Sequence, residues 1–303
     1  MAKTVGSGKY TYEMIEDWAQ LPPGWEMPAA AVALDSRDRV FCFNRSPEHP
    51  VLVFDREGGY LYSWGAGMFA FPHAVFIDAH DDVWLVDRNA GQILKFTPQG
   101  QLLMTLGEKG FRSDTGVDPG DFGSDGYKRV KQPGGPFNLP AGIHVTPSGE
   151  IFIADGYANC QVHHFAPDGT LIGSWGTPGN GPGQFNLPHG VWIDRKGRVL
   201  VSDRENDRVQ IFTQEGQWVE TWPAKLVGAA LCYIDEDDTV YIPEHNSGVF
   251  SILDAEGEVL ARWGSPAYRT CHGVWLDSRK DIYVAQPAEG VKGRTVVKYI
   301  RKG

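Results

Sequence analysis

The apolar and polar positions of this chain fall into one short pattern that returns six times. The segments AAAVALDSRDRVFCFN from Ala29, PHAVFIDAHDDVWLVD from Pro72, PAGIHVTPSGEIFIAD from Pro140, PHGVWIDRKGRVLVSD from Pro188, AALCYIDEDDTVYIPE from Ala229 and CHGVWLDSRKDIYVAQ from Cys271 align without gaps. Each reads as an apolar strand, a polar turn of the DSRD or DRKG kind, and a second strand rich in β-branched and aromatic residues. A variable loop follows, then a third strand such as RVQIF or QILKF, a PDG, PQG or QEG turn, and a fourth strand such as LIGSWG, YLYSWG or VLARWG. A period of this length marks a repeat architecture rather than an ordinary mixed domain.

Four antiparallel strands repeated six times describe an all-β, six-bladed β-propeller, in which each sheet buries its two faces against its neighbours. The last repeat ends at TVVKYIRKG and lacks a fourth strand; the N-terminal stretch YTYEMIEDW has the pattern to supply it and close the ring. Closure removes a free sheet edge. The whole of 1–303 is thus expected to be a single propeller domain. The Asp or Thr that ends each first strand stands at 35, 78, 146, 194, 235 and 277, so one interval of 68 residues is longer than the rest. The surplus is EKGFRSDTGVDPGDFGSDGYKRVKQPGG, an insertion at 108–137 between blades two and three that reads as a surface loop, either a disordered excursion or a lid or wall beside a binding site.

Composition agrees with this and narrows the partners. Ten Trp, 11 Tyr and 15 Phe together with 37 Gly and 20 Pro suit many short strands joined by tight turns. A net charge of -10, spread along the chain, disfavours nucleic acid and anionic membrane, which need a concentrated basic surface. No apolar run approaches the roughly 20 residues that span a bilayer. The first residues lack the apolar core of a secretory signal. Cys42, Cys160, Cys232 and Cys271 lie far apart with no CxxC pair, so reduced thiols and a cytoplasmic location are expected.

Five residues before each strand-ending Asp or Thr the chain reads Ala30, His73, Ala141, His189, Ala230, His272. First strands line a propeller's channel, so this slot faces the axis, and alternate blades stand about 120° apart around it. His73, His189 and His272 would then meet at one point, with alanines leaving room between them. Three imidazoles and an open position describe a catalytic zinc site. Imidazole also suits iron, copper or nickel.

The second strand runs antiparallel to the first, so residues just past its end share a face with the histidine slot. Blade by blade these are Asn44-Arg45, Asp87-Arg88, Asp155-Gly156-Tyr157, Asp203-Arg204-Glu205-Asn206, Glu244-His245 and Gln286-Pro287. Arginine beside a metal suits a substrate carboxylate or carbonyl, and Tyr157 is a candidate base. The competing reading makes each Asp-Arg pair a turn tie, and for Arg88 that reading is the expectation. The remaining histidines, His49, His80, His144, His163 and His164, read as packed or solvated.

The openings NLP and FPH followed by a Gly-Val-x-Ile-Asp strand resemble the NHL family of propellers. More narrowly, FNR at Phe43 to Arg45, FPHAV around His73, ADGYAN around Tyr157, LPHGV around His189, SDRENDRVQIF from Ser202 and CHGVW around His272 resemble the peptidyl-α-hydroxyglycine α-amidating lyase family. That resemblance implies a zinc-dependent carbon–nitrogen lyase cleaving an α-hydroxyglycine-type carbinolamide to an amide and glyoxylate. It assigns His73, His189 and His272 to the metal, Tyr157 to proton abstraction, and Arg45 and Arg204 to the substrate and its carboxylate. Asn206 and His245 are further substrate-binding candidates on the same face.

Three departures from the family stand out. Ala158 and Ile211 occupy positions where secreted animal members carry disulfide cysteines. The family's structural calcium uses an Asp directly after the third histidine; here Gly273 stands there, which counts against calcium although carbonyls at Val32 and Val75 remain. No monooxygenase domain accompanies the lyase-like repeats, so a small hydroxylated amide or ureido acid is the expected substrate rather than a peptide. Two other functions fit the same scaffold: a metal-dependent lactonase or esterase using His245 or Tyr157 as base, and a non-catalytic protein-binding propeller.

Overall fold

A computed structural model describes residues 3–264, 270–287 and 295–303. Six of its sheets are blades arranged as the sequence pattern requires, and a two-stranded parallel pair, Thr177–Pro178 with Gln184–Phe185, lies outside them. Blade one is Ala29–Leu34, Val40–Asn44, Val51–Phe54 and Tyr60–Trp64; blade two is Pro72–Ile77, Val83–Asp87, Gln92–Phe96 and Leu102–Leu106. Blades three, four and five open with Gly142–Val145, Pro188–Ile193 and Tyr233–Ile234. Blade six takes Gly273–Leu276, Ile282–Ala285 and Val296–Arg301 from the C-terminal end and Tyr10–Ile15 from the N-terminal end. Tyr12 lies opposite Arg301 and Ile15 opposite Lys298, so the expected closure by the N-terminal strand holds. A fifth strand, Lys3–Ser7, adds itself outside it. First strands pack against first strands all the way round, including blade six against blade one.

The repeated Asp explains why the pattern is so regular. Asp35 Oδ1 accepts the backbone N–H of Arg37 and of Arg39 at 3.0 and 2.9 Å, and Asp78, Asp194, Asp235 and Asp277 do the same in their blades. In blade three Thr146 Oγ1 replaces the carboxylate and accepts from Glu150 at 3.0 Å. A short acceptor that closes its own turn competes well there with water. Inner strands such as Ala29–Leu34 are buried along their whole length, because both sheet faces meet another blade, whereas outermost strands such as Leu171–Trp175 are largely exposed. Each large apolar side chain so buried contributes about 1.5–3 kcal/mol.

Two features aim the axial residues. His73, His189 and Ala30 fall at register shifts in the pairing of first and second strands, and such bulges turn a side chain out of the ordinary pleat. Two positions before the slot, Leu139, Leu187, Gly228 and Thr270 all have left-handed φ, between 61° and 82°. Glycine carries that conformation without strain and the other three do not, so the turn into the axis is imposed by its surroundings. Part of the imposition is visible: carboxylates ending the second strands grip the incoming loop, Asp87 at Phe71 N (2.8 Å), Asp203 at Asn186 N (2.7 Å) and Glu244 at Val227 N (2.8 Å).

Candidate active site

The slot residues converge. His73, His189 and His272 are wholly buried, and their ligand nitrogens lie within 4.8 Å of one another. His73 Nδ1 donates to the carbonyl of Ala141 at 2.7 Å, and His272 Nδ1 to that of Ala30 at 2.8 Å. A carbonyl only accepts, so Nδ1 holds the proton and Nε2 keeps its lone pair toward the axis. The alternating alanines therefore do more than leave space: two of their carbonyls orient the imidazole of the preceding blade. His189 Nε2 and His272 Nε2 face each other at 3.2 Å. Two nitrogens bound to one tetrahedral ion at about 2.0–2.1 Å would be roughly 3.3 Å apart. The His272 Nε2 lone pair and His189 Nε2 are thus spaced as two ligands of one ion would be, and His189 Nδ1 has no hydrogen-bond partner among the described residues, so these residues fit a metal.

Burial holds His73 well below the ordinary imidazole range, helped by His272 and by the Arg88 and Arg45 guanidiniums. Burial, then Arg204, does the same to His189, and burial, then His245, to His272. All three are neutral at pH 7, as ligation requires. Tyr157 reaches this cluster from blade three. Its Oη stands 3.1 Å from His73 Nε2, 3.2 Å from His189 Nε2 and 3.0 Å from Arg204 Nη1.

Above the histidines opens a cavity of about 830 Å³. Each blade contributes to its lining the residue expected from the exit of its second strand: Arg45, Arg88, Tyr157, Arg204, His245 and Pro287. Burial, with Arg204 next, lowers His245 to about 4, so it is neutral as well. Asn206 departs from the set. Its amide donates to Gly179 O at 2.9 Å and to Asp203 at 2.7 Å, which ties the loop instead of lining the cavity. Asn246 lines the cavity in its place.

Arg88 corrects the sequence reading in the opposite direction. Asp87 accepts at its carboxylate from the backbone N–H groups of Ala70, Phe71 and Ala90. The Arg88 guanidinium lies 4.2 Å from the ring centre of Phe71 and 4.6 Å from that of Tyr157. Arg45 covers Phe71 at 4.4 Å and Arg204 lies 5.3 Å from Tyr157, giving a ladder of three cations and two rings. Aligning the post-strand positions could have found Arg88, since it is equivalent to Arg45 and Arg204.

The 108–137 insertion is a wall of this cavity. Phe122, Asp125, Tyr127 and Lys128 line it. Phe122 O accepts from Arg88 Nη2 at 2.8 Å, and Tyr127 Oη donates to Glu205 at 3.1 Å. Glu205 in turn pairs with Arg204 at 2.8 Å. Burial raises the Glu205 carboxyl, but the pairing with Arg204 outweighs it and leaves the group lowered. The insertion belongs to no repeat, so no blade-to-blade alignment could have placed it.

Below the histidines the axis narrows to a cavity of about 20 Å³, bordered by Ala31, Ala74, Gly190 and Gly273. A Cβ on Gly273 would come within 2.9 Å of Ala31 Cα, so a carboxylate side chain at this position has no room without backbone movement. That counts further against the structural calcium.

A ring of six blades closed by its N-terminus, with three convergent imidazoles under a cationic cavity, defines a class: β-propellers with an axial polyhistidine site. The NHL repeat family matches residues 137–165 and 185–212. NHL repeat-containing protein 3 of Homo sapiens is 29% identical over 226 residues, covering 71% of this chain and 60% of that protein. Peptidyl-α-hydroxyglycine α-amidating lyase 1 of Drosophila melanogaster is 30% identical over 198 residues, covering 61% of this chain and 33% of that one. The chain thus spans less than two thirds of either relative. A gluconolactonase from Xanthomonas campestris superposes with a TM-score of 0.64 at 13% identity, covering 96% of this chain and 90% of that one, a likeness of fold alone. The chain is a six-bladed propeller with matches to the NHL repeat in two segments, and it is similar to the peptidyl-α-hydroxyglycine α-amidating lyases. Among the described residues no helix is long and apolar enough to cross a membrane, and the four cysteines are buried free thiols.

Proposed function

We propose that the chain is a metal-dependent lyase acting on small α-hydroxy amides, with the ion held by His73, His189 and His272. The observation that carries this is the placement of Tyr157 Oη, which stands within hydrogen-bond distance of two candidate ligands and of Arg204 at once. Zinc suits three neutral imidazoles with an open position, and iron shares the preference for imidazole. When bound, the ion supplies a Lewis acid beside that oxygen.

The chain's own groups do the rest. A carbinolamide, R-CO-NH-CH(OH)-COO⁻, enters with its carboxylate toward Arg204 and Arg45, whose planar donor forks fit it. Tyr157 Oη takes the hydroxyl proton as its own phenolic proton passes on toward the leaving nitrogen. The oxygen's electron pair forms the aldehyde C=O while the C–N bond breaks, and the leaving nitrogen receives the proton. The products are an amide and glyoxylate, with no oxidant or water consumed. The half-enclosed cavity, walled by the insertion, keeps the arginine charges effective by excluding bulk water. The substrate is a small molecule, and neither nucleic acid nor membrane is a partner. Four buried thiols, of which burial raises Cys160 and Cys232 to about 12, suit a reducing, cytoplasmic setting.

The test is to supply an N-acyl-α-hydroxyglycine to zinc-loaded protein and quantify glyoxylate. Stoichiometric amide and glyoxylate support the lyase. Acid release from a lactone or ester panel, with no glyoxylate from the amide, would replace it with a hydrolase. No turnover of either, with no bound metal, would leave a binding scaffold.

A further inference from the structure

One carboxylate needs one guanidinium, or at most two, yet this cavity brings three together. Arg45, Arg88 and Arg204 share the faces of only two rings, Phe71 and Tyr157, at 4.2 to 5.3 Å. Among the described residues, side chains carrying permanent charge along the lining are Arg45, Arg88, Lys128 and Arg204 against Asp125 and Glu205. Arg88 and Arg204 are each only 5% exposed. Crowded like charges in a partly dry site repel one another, and the repulsion grows as water is excluded. A divalent cation on the axis would add to the same excess. Such an arrangement is relieved by an anion of matching charge.

The two buried arginines also differ in position. Arg204 donates to the Tyr157 hydroxyl, at the histidine end. Arg88 lies over the face of the same ring, and the insertion's Phe122 carbonyl accepts from its Nη2 at 2.8 Å. A substrate anchored by one carboxylate at Arg204 would thus present its other end to Arg88 and the wall. From this we infer that the substrate is a small dianion, an α-hydroxy compound carrying a second carboxylate that Arg88 binds. The inference rests on the site proposed above, and it makes Arg88 the residue that selects for the second charge.

Lactate and malate provide the test, since malate is lactate with one more carboxylate on its methyl carbon. Calorimetric titration of both into zinc-loaded and metal-free protein gives two affinity ratios. A carboxylate held by a guanidinium is expected to favour malate by about 10–100-fold in both forms. Arg88→Gln should bring the ratio below about threefold, whereas Lys128→Gln, on the exposed rim, should not. Melting temperature and zinc stoichiometry of each variant establish that it is folded, and Arg88→Lys serves if Arg88→Gln is not. Equal binding of lactate and malate, a preference that survives loss of Arg88, or binding of neither anion would each overturn the inference. None of these outcomes depends on C–N cleavage, so failure here is distinguishable from failure of the lyase reading.

Discussion

The two ends of the propeller axis are built from the same six strands, three residues apart, and they have opposite chemistry. At one end the slot reads Ala30, His73, Ala141, His189, Ala230, His272. Three residues further along the same strands it reads Ala33, Phe76, His144, Trp192, Tyr233, Trp275. In the second ring Trp192 and Trp275 approach to 5.6 Å between ring centres, Tyr233 and Trp275 to 4.9 Å, and Phe76 and His144 to 5.0 Å. The aromatic end closes the channel by contact; the histidine end gathers three imidazoles whose ligand nitrogens lie within 4.8 Å of one another. Repeat geometry gives both rings convergence. Side-chain choice decides whether the point of convergence becomes a plug or a binding site.

That contrast predicts that the ends fail differently. Tyr157→Phe removes the proton acceptor and one hydroxyl from the histidine end, so kcat should fall by about 10²–10⁴-fold. Zinc content and melting temperature should change little, as measured by elemental analysis and thermal denaturation. Trp192→Ala attacks the plug: a large buried aromatic truncated to alanine costs about 3–5 kcal/mol, read from chemical denaturation. Zinc affinity of the folded fraction should be nearly preserved. A Trp192 variant that lost zinc while remaining folded would merge the two ends into one unit.

His144 supplies a pH-dependent version of the same contrast. Burial among Phe76 and Trp192 lowers it to about 3. Its folded pKa lies below the unfolded value of about 6.5, so between those values the unfolded chain binds the extra proton and stability falls as pH falls. The loss should approach roughly 1 kcal/mol per pH unit below about pH 6. His144→Phe keeps the plug filled and removes this proton, so the melting temperature should decline less steeply from pH 6 to 4. An unchanged slope would place the acid sensitivity elsewhere.

Legibility in the sequence followed the repeat. Positions with a counterpart in every blade could be aligned, so the fold, the ring closure by Tyr10–Ile15, the histidine slot and the exits at Arg45, Tyr157, Arg204 and His245 were readable before any coordinate. Arg88 was readable in position, but its place in the cavity lining was not, because an Asp-Arg pair commonly ties a turn and only the structure shows Asp87 accepting from backbone amides. Asn206 failed for the complementary reason: a short side chain three residues past Asp203 folds back onto it at 2.7 Å. Phe122 and Tyr127 were beyond reach, since an insertion without periodicity carries no register. The alanine carbonyls that orient His73 and His272 also leave no mark on side-chain pattern, because any residue has a carbonyl.

The most direct measurement is the zinc content of purified protein after loading and exhaustive dialysis, compared with His189→Ala prepared identically. His189 holds an axial nitrogen 3.2 Å from that of His272, and its loss leaves two ligands. The expected result is one zinc per chain in the wild type and none retained in a variant that still shows the wild-type β-sheet spectrum. A wild-type chain that retains no divalent ion, or a His189→Ala chain that retains one as tightly, would contradict the account.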